Sequence, residues 1–358
     1  LRLSLRVRPT GLLAGLQGPR VLHLDIVDYP GEWLLDLTLL EKSYAEWSAE
    51  TLARISGRRE AAEFLALAQA EAADAELAEP RAQALAAAFT AYLVAARAAG
   101  WSDCTPGRFL LPGDLAGSPV LTFAPLPALE RAPRKSLWRE MERRFDAYKS
   151  QVVQPFFRDH FARIDRQVVL VDALGAIGRG PQAVAEMSAV LQEILMAFRP
   201  GQNAFLSRLL LGRRVEKILF AATKADHLHH SQHARLTGFM QALVKQAAER
   251  ARFAGAETGA LSLAALRTTT EEERRHDGRV LNMVRGRLLD SGKQAAFYPG
   301  ELPEDPARLL APGAAGDWPG RDFAAMAFAP APLTLRPGDG PPHIRLDKAA
   351  QILIGDRL

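Results

Sequence analysis

KILFAATKAD, residues 217–226, is the stretch that decides the fold. A short, almost uninterrupted apolar run leads into a polar loop, and such runs suit a parallel strand covered on both faces. Residues 168–173 (VVLVDA) and 259–266 (GALSLAAL) have the same character, and helical patterns at about 181–198 and 230–252 separate the three. Strand and helix therefore alternate as in a doubly wound α/β sheet.

Two further strands are predicted upstream of this sheet. Residues 1–7 alternate apolar and polar side chains, and residues 21–28 form a second strand-like run that ends at the Tyr29-Pro30-Gly31 turn. A turn-rich stretch separates the two runs, which predicts an antiparallel hairpin with a long loop.

A long helical region follows the hairpin. The patterns predict a helix from residue 33 to about 57 and two helices in 58–99 divided at Pro80. We interpret 101–133 as an extended connector, and beyond it an amphipathic helix runs to Pro155, where it kinks or restarts. Roughly 135 residues separate Gly31 from the next parallel strand, far more than a strand-to-strand connection needs, so most of them should be a helical insertion. Near the C-terminus, 346–354 is predicted to be a closing helix.

Composition excludes several classes of protein. The 358 residues are 48% hydrophobic, enough for a large domain with an insertion, and the net charge of +4 is too small for a dedicated nucleic-acid binder. A single cysteine, Cys104, excludes an intramolecular disulfide and a multi-cysteine metal site. No apolar run reaches the roughly 18–20 residues that span a bilayer.

The basic helix at 134–149 also carries acidic residues, which favours a solvated face over lipid or nucleic-acid contact.

The Asp28-Tyr29-Pro30-Gly31 segment lies where a doubly wound sheet binds ligands, beyond the carboxyl end of a strand. A carboxylate at such an end can hold Mg²⁺, often through water, and Asp28 is placed for that role. Gly31 would let its N–H approach a terminal phosphate. The alternative is an Asx-type turn closed by Pro-Gly. Glu32 could accept a proton from the water that attacks the terminal phosphate. The alternative is that Glu32 is a first-turn helix residue favoured by the helix dipole.

The Thr223-Lys224-Ala225-Asp226 segment is similar to the NKxD or TKxD element that reads guanine. A carboxylate accepts hydrogen bonds from guanine's ring N–H and exocyclic amine, whereas adenine would leave it unpaired. The stem of Lys224 can pack along the base. The alternative is a polar strand-to-helix loop in which Asp226 or Thr223 caps a helix.

A histidine cluster follows Asp226. If the segment is helical, His229 and His233 share one face at a spacing that can bind zinc or nickel. No third ligand with motif-like spacing is evident, and polar helix-start residues near a nucleotide are the alternative.

Two long segments, DIVDYPGEWLLDL at 25–37 and ATKADHLHH at 222–230, resemble the signature of the bacterial YcjX-like family of P-loop GTPases, often labelled predicted ATPases. Three shorter segments, VDAL at 171–174, FYPGE at 297–301 and HIRLD at 343–347, extend the resemblance over essentially the whole chain.

The resemblance implies a Ras-like P-loop NTPase, a three-layer α/β/α domain with a large helical insertion. Residues 1–40 and 160–358 would form the G domain and 41–159 the insertion. It further implies a cytoplasmic protein that binds GTP or GDP with Mg²⁺, hydrolyses GTP to GDP and phosphate, and acts in bacterial stress response.

Individual site residues follow from the same resemblance. Asp28 and Gly31 would lie in the switch region near the metal and the γ-phosphate, with Asp28 holding Mg²⁺ through water. Together with Glu32, which follows Gly31, they are the predicted catalytic residues. Thr223, Lys224 and Asp226 would bind the base, and Ala264 and Ala265 would back it through main-chain contacts.

The family's phosphate loop, GxxxxGKS or GxxxxGKT, does not occur in the sequence, and the Ser291-Gly292-Lys293 segment lacks its spacing. In a Ras-like order that loop precedes the strand at 1–7, so we predict that upstream sequence is missing. The 358 residues alone should then bind nucleotide poorly and hydrolyse none measurably, because the loop and its lysine provide most phosphate binding.

Two other functions stay open, an ATPase on the same fold and a non-catalytic, nucleotide-gated scaffold. The expected partner is a protein effector that binds the helical insertion. Peripheral contact with a membrane also stays open.

Overall fold

The computed structural model describes residues 1–8, 18–159, 163–196, 215–253, 255–311, 318–319, 323, 326–330 and 335–358. The chain divides into two units. The sheet unit comprises Leu1–Val27, Ile164–Gln192 and Arg214–Leu358, and the helical unit comprises Asp28–Arg163 and Glu193–Arg213. None of the helices in the described ranges is long and apolar enough to cross a membrane.

The strands in chain order are β1 (Arg2–Val7), β2 (Arg20–Asp25), β3 (Arg166–Val171), β4 (Lys217–Ala222), β5 (Glu257–Ser262), β6 (Thr269–His276), β7 (Arg279–Leu288), β8 (Gln294–Phe297) and β9 (Phe328–Ala329). The helices are α1 (Glu32–Leu35), α2 (Tyr44–Ile55), α3 (Ala62–Ala70), α4 (Glu79–Ala98), α5 (Gly107–Leu110), α6 (Leu137–Tyr148), α7 (Gln154–Asp159), α8 (Ala173–Arg179), α9 (Pro181–Met196), α10 (His233–Leu243), α11 (Lys245–Phe253) and α12 (Leu346–Ile354).

The core of the sheet unit is a parallel sheet of the three strands that the sequence predicts, and their order in the sheet is β3-β4-β5. Leu219 and Ala221 of β4 pack against Ala349 of α12. Phe220 points to the other face, where it lines a cleft with Gly238 of α10 and residues of α11. Helices therefore cover both faces of β4, which explains why this central strand is apolar along almost its whole length, whereas Val168 and Leu170 of β3 are exposed. The fold is mixed α/β.

The predicted hairpin is confirmed, because β1 and β2 pair antiparallel with Arg2 opposite Asp25 and Val7 opposite Arg20. The middle of its predicted loop, residues 9–17, lies outside the described residues.

A second, antiparallel sheet is a finding that the sequence analysis did not predict. Strands β6, β7 and β8 form it in that order, and β9 pairs with β7. Asp277 and Gly278, both with positive φ, make the tight turn between β6 and β7. The charged sequence of β6, TTEEERRH, has no apolar alternation, because most of its side chains face solvent.

The helical unit has an aromatic core. The Trp47 and Phe145 rings are stacked with centroids 4.9 Å apart, and Phe123 packs edge-on against both. The predicted kink near Pro155 is a π-helical segment, Lys149–Val153, between α6 and α7. The two helices predicted in 58–99 are confirmed as α3 and α4, and Pro80 lies in the first turn of α4.

The stretch predicted to be an extended connector, 101–133, is instead part of this core. It contains α5 and two short 3₁₀ turns. Its carbonyls accept buried hydrogen bonds, from the Tyr44 hydroxyl to Ala124 at 2.8 Å and from the Ser48 hydroxyl to Leu126 at 2.6 Å. This stretch is rich in proline and glycine, so it lacks the hydrophobic periodicity that would have indicated its burial.

The division into units also falls at other residues than predicted. The helical unit begins at Asp28 rather than 41, and it extends to Arg163 and includes Glu193–Arg213. The reason for the earlier start is that α1 and the 3₁₀ turn after it are bonded into the helical unit: Asp36 accepts hydrogen bonds from the Gly107 N–H and the Tyr148 hydroxyl.

Candidate functional site

The Thr223–Asp226 loop lies at the carboxyl end of the parallel sheet. The Thr223 N–H donates to the Val171 carbonyl at 2.9 Å, and the Ala225 N–H donates to the Leu263 carbonyl at 3.1 Å. The loop is thus fixed to the ends of both neighbouring strands. Lys224 between these anchors has φ +60°, a left-handed conformation that turns the chain into a 3₁₀ turn.

Asp226 is buried, with 4% of its surface exposed. Its Oδ2 accepts two hydrogen bonds from Thr268, one from the N–H at 2.8 Å and one from the hydroxyl at 2.6 Å. Thr269 donates its hydroxyl to the main-chain carbonyl of Asp226. Within the described part of the chain, Oδ1 has no hydrogen-bond partner, so the carboxylate is held from one side and available on the other.

Lys224 pairs with Asp172, the residue that follows β3. Their Nζ and Oδ2 atoms lie 2.7 Å apart, and both side chains are about half exposed. The other carboxylate oxygen of Asp172 accepts the Gly175 N–H at 3.0 Å and caps α8. The Lys224 ammonium is therefore directed along the strand ends by a residue that the sequence analysis did not select.

His233 stabilises the loop through hydrogen bonds to its main chain. Its buried Nε2 lies 2.8 Å from the Ala225 carbonyl and 3.2 Å from the Leu228 carbonyl, so this nitrogen carries the proton. Burial lowers the pKa of the imidazole. The metal pair suggested for His229 and His233 is wrong, because His229 precedes the helix in extended conformation and His233 Nε2 is taken up by main-chain carbonyls.

Ala264 and Ala265 differ in whether their main-chain groups are already hydrogen-bonded. The N–H and carbonyl of Ala264 are both bonded to Ile344, at 3.0 and 2.8 Å. Ala265 is exposed, and its main chain makes no hydrogen bond to another described residue. Of these two residues, Ala265 is the one whose main-chain N–H makes no hydrogen bond within the described part of the chain and could donate to a ligand.

Asp28, Gly31 and Glu32 belong to the helical unit. Asp28 is exposed and makes no side-chain hydrogen bond or ion pair with any residue in the described ranges. Gly31 has an ordinary helical φ of −59°, and a Cβ there would meet no heavy atom within 4 Å. The fold itself therefore does not require glycine at 31. The Glu32 carboxylate pairs with Arg97 at 2.6 Å.

Asp36 is a buried carboxylate that the sequence analysis did not select. Besides the Gly107 N–H at 2.7 Å, it accepts the Tyr148 hydroxyl at 2.6 Å, and burial raises its pKa to about 6. The available signal was an acidic residue inside an otherwise apolar run, WLLDLTLL at 33–40. Next to it, the Arg108 guanidinium lies 3.2 Å above the Trp33 ring.

Comparisons with known proteins agree on one family. The profile of the YcjX-like family, DUF463, matches residues 1–358. A protein of Escherichia coli K12 named Ras-like GTPase YcjX is 38% identical over 370 residues, covering 100% of this chain and 77% of that protein. A protein of Shewanella oneidensis MR-1 with the same name is 35% identical over 377 residues, covering 100% and 75%. The resemblance drawn from the sequence is confirmed.

Proposed function

We propose a guanine-nucleotide-binding function for this chain, which belongs to the YcjX-like family. The observation that carries the proposal is the buried carboxylate of Asp226, fixed through Oδ2 by Thr268 at the carboxyl end of the parallel sheet. The names of the two relatives support the same function, because each is called a Ras-like GTPase.

The residues around Asp226 fit a guanine base. Its Oδ1 is available to a ring N–H or an exocyclic amine, and guanine offers both donors side by side. Adenine presents one amine donor beside a ring-nitrogen acceptor, so it would place an acceptor close to the buried carboxylate, which costs binding free energy. The Lys224 stem and the Ala265 N–H border the same strand ends and are the proposed additional contacts to the base. Thr223 positions the loop through Val171.

We extend the proposal to hydrolysis of GTP to GDP and phosphate on a Ras-like P-loop NTPase fold. Asp28 would hold Mg²⁺ through water, and Mg²⁺ would neutralise charge on the phosphate oxygens. Gly31 would bring its N–H to the terminal phosphate, in line with the open space where a Cβ would be. Glu32 would act on the attacking water only after leaving Arg97.

The cellular setting is proposed from the family resemblance: a cytoplasmic switch protein in bacterial stress response. The helical unit, most of which (Asp28–Arg163) lies between the second and third strands in sequence, would be the effector surface.

The proposal is tested with a variant of the intact protein that should prefer xanthine nucleotides, such as xanthosine diphosphate (XDP), over guanine nucleotides. Asp226→Asn replaces an acceptor by a donor, so GDP affinity should fall by about tenfold to hundredfold while XDP affinity rises, because xanthine presents a carbonyl where guanine presents an amine. Equilibrium titration with fluorescent GDP and XDP measures both, and competition by ATP tests an adenine preference.

Asp277→Asn is the matched control, since Asp277 is exposed and lies in a hairpin turn that tolerates asparagine. The proposal fails if Asp226→Asn leaves GDP affinity unchanged, if it weakens GDP and XDP equally, or if ATP displaces GDP as well as GTP does.

A further inference from the structure

Three side chains with metal-binding atoms converge next to the Asp226 loop. His229, His230 and Glu271 each direct one ligand atom into a common space, and these atoms all lie within 4.8 Å of one another. His229 is buried, Glu271 on β6 is partly buried, and His230 is exposed. The cluster therefore has one buried ligand, His229, and an exposed ligand, His230, at which an ion can enter from solvent.

The distances suit a tetrahedral ion after small adjustments. Glu271 Oε2 lies 3.8 Å from His229 Nε2 and 2.6 Å from His230 Nδ1. Zinc–ligand bonds of about 2.1 Å place tetrahedral ligand atoms about 3.4 Å apart. Shifts of less than about 1 Å would bring the two distances from Glu271 to that spacing. Two imidazoles and one carboxylate leave the fourth position for water, as in open zinc sites.

Neighbouring side chains already orient two of the three ligands. His229 Nδ1 accepts the Ser231 N–H at 3.4 Å and lies 2.9 Å from the Ser231 hydroxyl, and these contacts orient the ring with Nε2 on the side of Glu271. A metal ion at Nε2 would displace the proton of that nitrogen. Glu271 Oε1 lies 3.3 Å from an Arg267 nitrogen, which leaves Oε2 directed at the histidines. Outer partners of this kind fix ring orientation and tautomer in metal sites.

We propose that His229, His230 and Glu271 form a binding site for a transition-metal dication, with Zn²⁺ as its ion. Imidazole nitrogens favour Zn²⁺ over Mg²⁺, which prefers oxygen ligands in an octahedron. A bound metal ion would replace the 2.6 Å hydrogen bond between His230 Nδ1 and Glu271 Oε2. The charge of Arg267 opposes the ion and limits its affinity.

The bound ion would link two segments that carry the Asp226 site. His229 follows Asp226 by three positions, and Glu271 follows Thr268, the residue that fixes the Asp226 carboxylate, by three positions. A metal bridge between them adds a second connection between the loop and β6. Because the ion binds the folded state, it should also raise the thermal stability of the protein.

Calorimetric titration of Zn²⁺ into metal-free intact protein, without nucleotide, tests the site. One Zn²⁺ per chain is expected, and excess Mg²⁺ should not displace it. His230→Gln and Glu271→Gln each remove one ligand atom and should lower affinity at least about tenfold. His276→Gln and Glu273→Gln, exposed positions on the same strand, are the matched controls and should bind like the wild type.

The exposure of His230 keeps the test independent of folding, because replacing an exposed side chain leaves the core intact. The proposal is overturned if the wild type shows no saturable Zn²⁺ binding, or if His230→Gln and Glu271→Gln bind Zn²⁺ as tightly as the wild type. Since no nucleotide is present, either result leaves the guanine-binding proposal to its own test.

Discussion

Thr268 donates both its N–H and its hydroxyl to the same oxygen of Asp226, at 2.8 and 2.6 Å. The two residues are 42 positions apart in sequence. This double contact sets the direction of the free carboxylate oxygen, so Thr268 is a positioning residue for the proposed base site.

Thr268→Val should weaken guanine binding without unfolding the protein. Valine keeps the shape and the N–H but loses the hydroxyl, and one hydrogen bond to a charged group contributes about 1.5–3 kcal/mol. GDP affinity should fall by about tenfold or more in a fluorescent-nucleotide titration. Thr270→Val, at an exposed position of β6, is the control, and an equal loss in both variants would contradict the role of Thr268.

The burial of neutral His233 should make the stability of the sheet unit depend on pH. Burial lowers the pKa of His233 below its ordinary value of 6.5, so the unfolded chain binds more protons than the folded protein as pH falls below 6.5. Stability contributed by neutral His233 is therefore present above pH 6.5 and decreases below it. Urea denaturation of wild type and His233→Gln from pH 7.5 to 5 should show their difference in unfolding free energy shrinking toward acid.

His233→Leu is the companion variant, because it removes the donor at every pH and leaves the Ala225 carbonyl without its partner. It should cost about 1–3 kcal/mol. A difference between wild type and His233→Gln that stays constant with pH would rule out the buried neutral imidazole.

Asp36 should show the opposite pH dependence. Its pKa is raised to about 6 from 3.8, so the folded protein retains a proton that the unfolded chain releases between those values. The associated stability is fully present below pH 3.8 and is lost as pH rises through about 6. Asp36→Asn removes this titration. The unfolding free energy of the wild type relative to Asp36→Asn should fall between pH 4 and 7, and a flat difference would contradict the burial effect.

Two glycines in the helical unit should respond differently to alanine. A Cβ at Gly107 would overlap the main-chain carbonyl of Glu32, which cannot move without shifting α1. Gly107→Ala should lower the unfolding free energy by about 2 kcal/mol or more. Gly31→Ala should be close to neutral in stability, because its Cβ meets open space at an ordinary φ. Thermal denaturation of both variants decides this, and equal losses would contradict it.

Gly31→Ala also tests the proposed phosphate contact. If the Gly31 N–H approaches the terminal phosphate, this variant should bind GDP normally and a GTP analogue more weakly. Unchanged affinity for both nucleotides would remove Gly31 from the proposed catalytic group.

The sequence by itself determined the elements that rest on local pattern. Apolar runs located the three parallel strands, alternation located β1, and 346–354 was recognised as a helix. The Asp28–Gly31 and Thr223–Asp226 segments stood out because their residue types and their place after strands could be read without coordinates.

Tertiary structure alone decided which side chains meet. The contacts of Asp226 with Thr268, of Asp36 with Gly107 and Tyr148, and of His230 with Glu271 join residues that are 41 to 112 positions apart. Hydrophobic periodicity reports only which face of an element is buried, and it carries no information on partners so distant in the chain. The β6-β7 hairpin shows the same limit: its charged strand is stabilised by main-chain pairing, which leaves almost no trace in side-chain pattern.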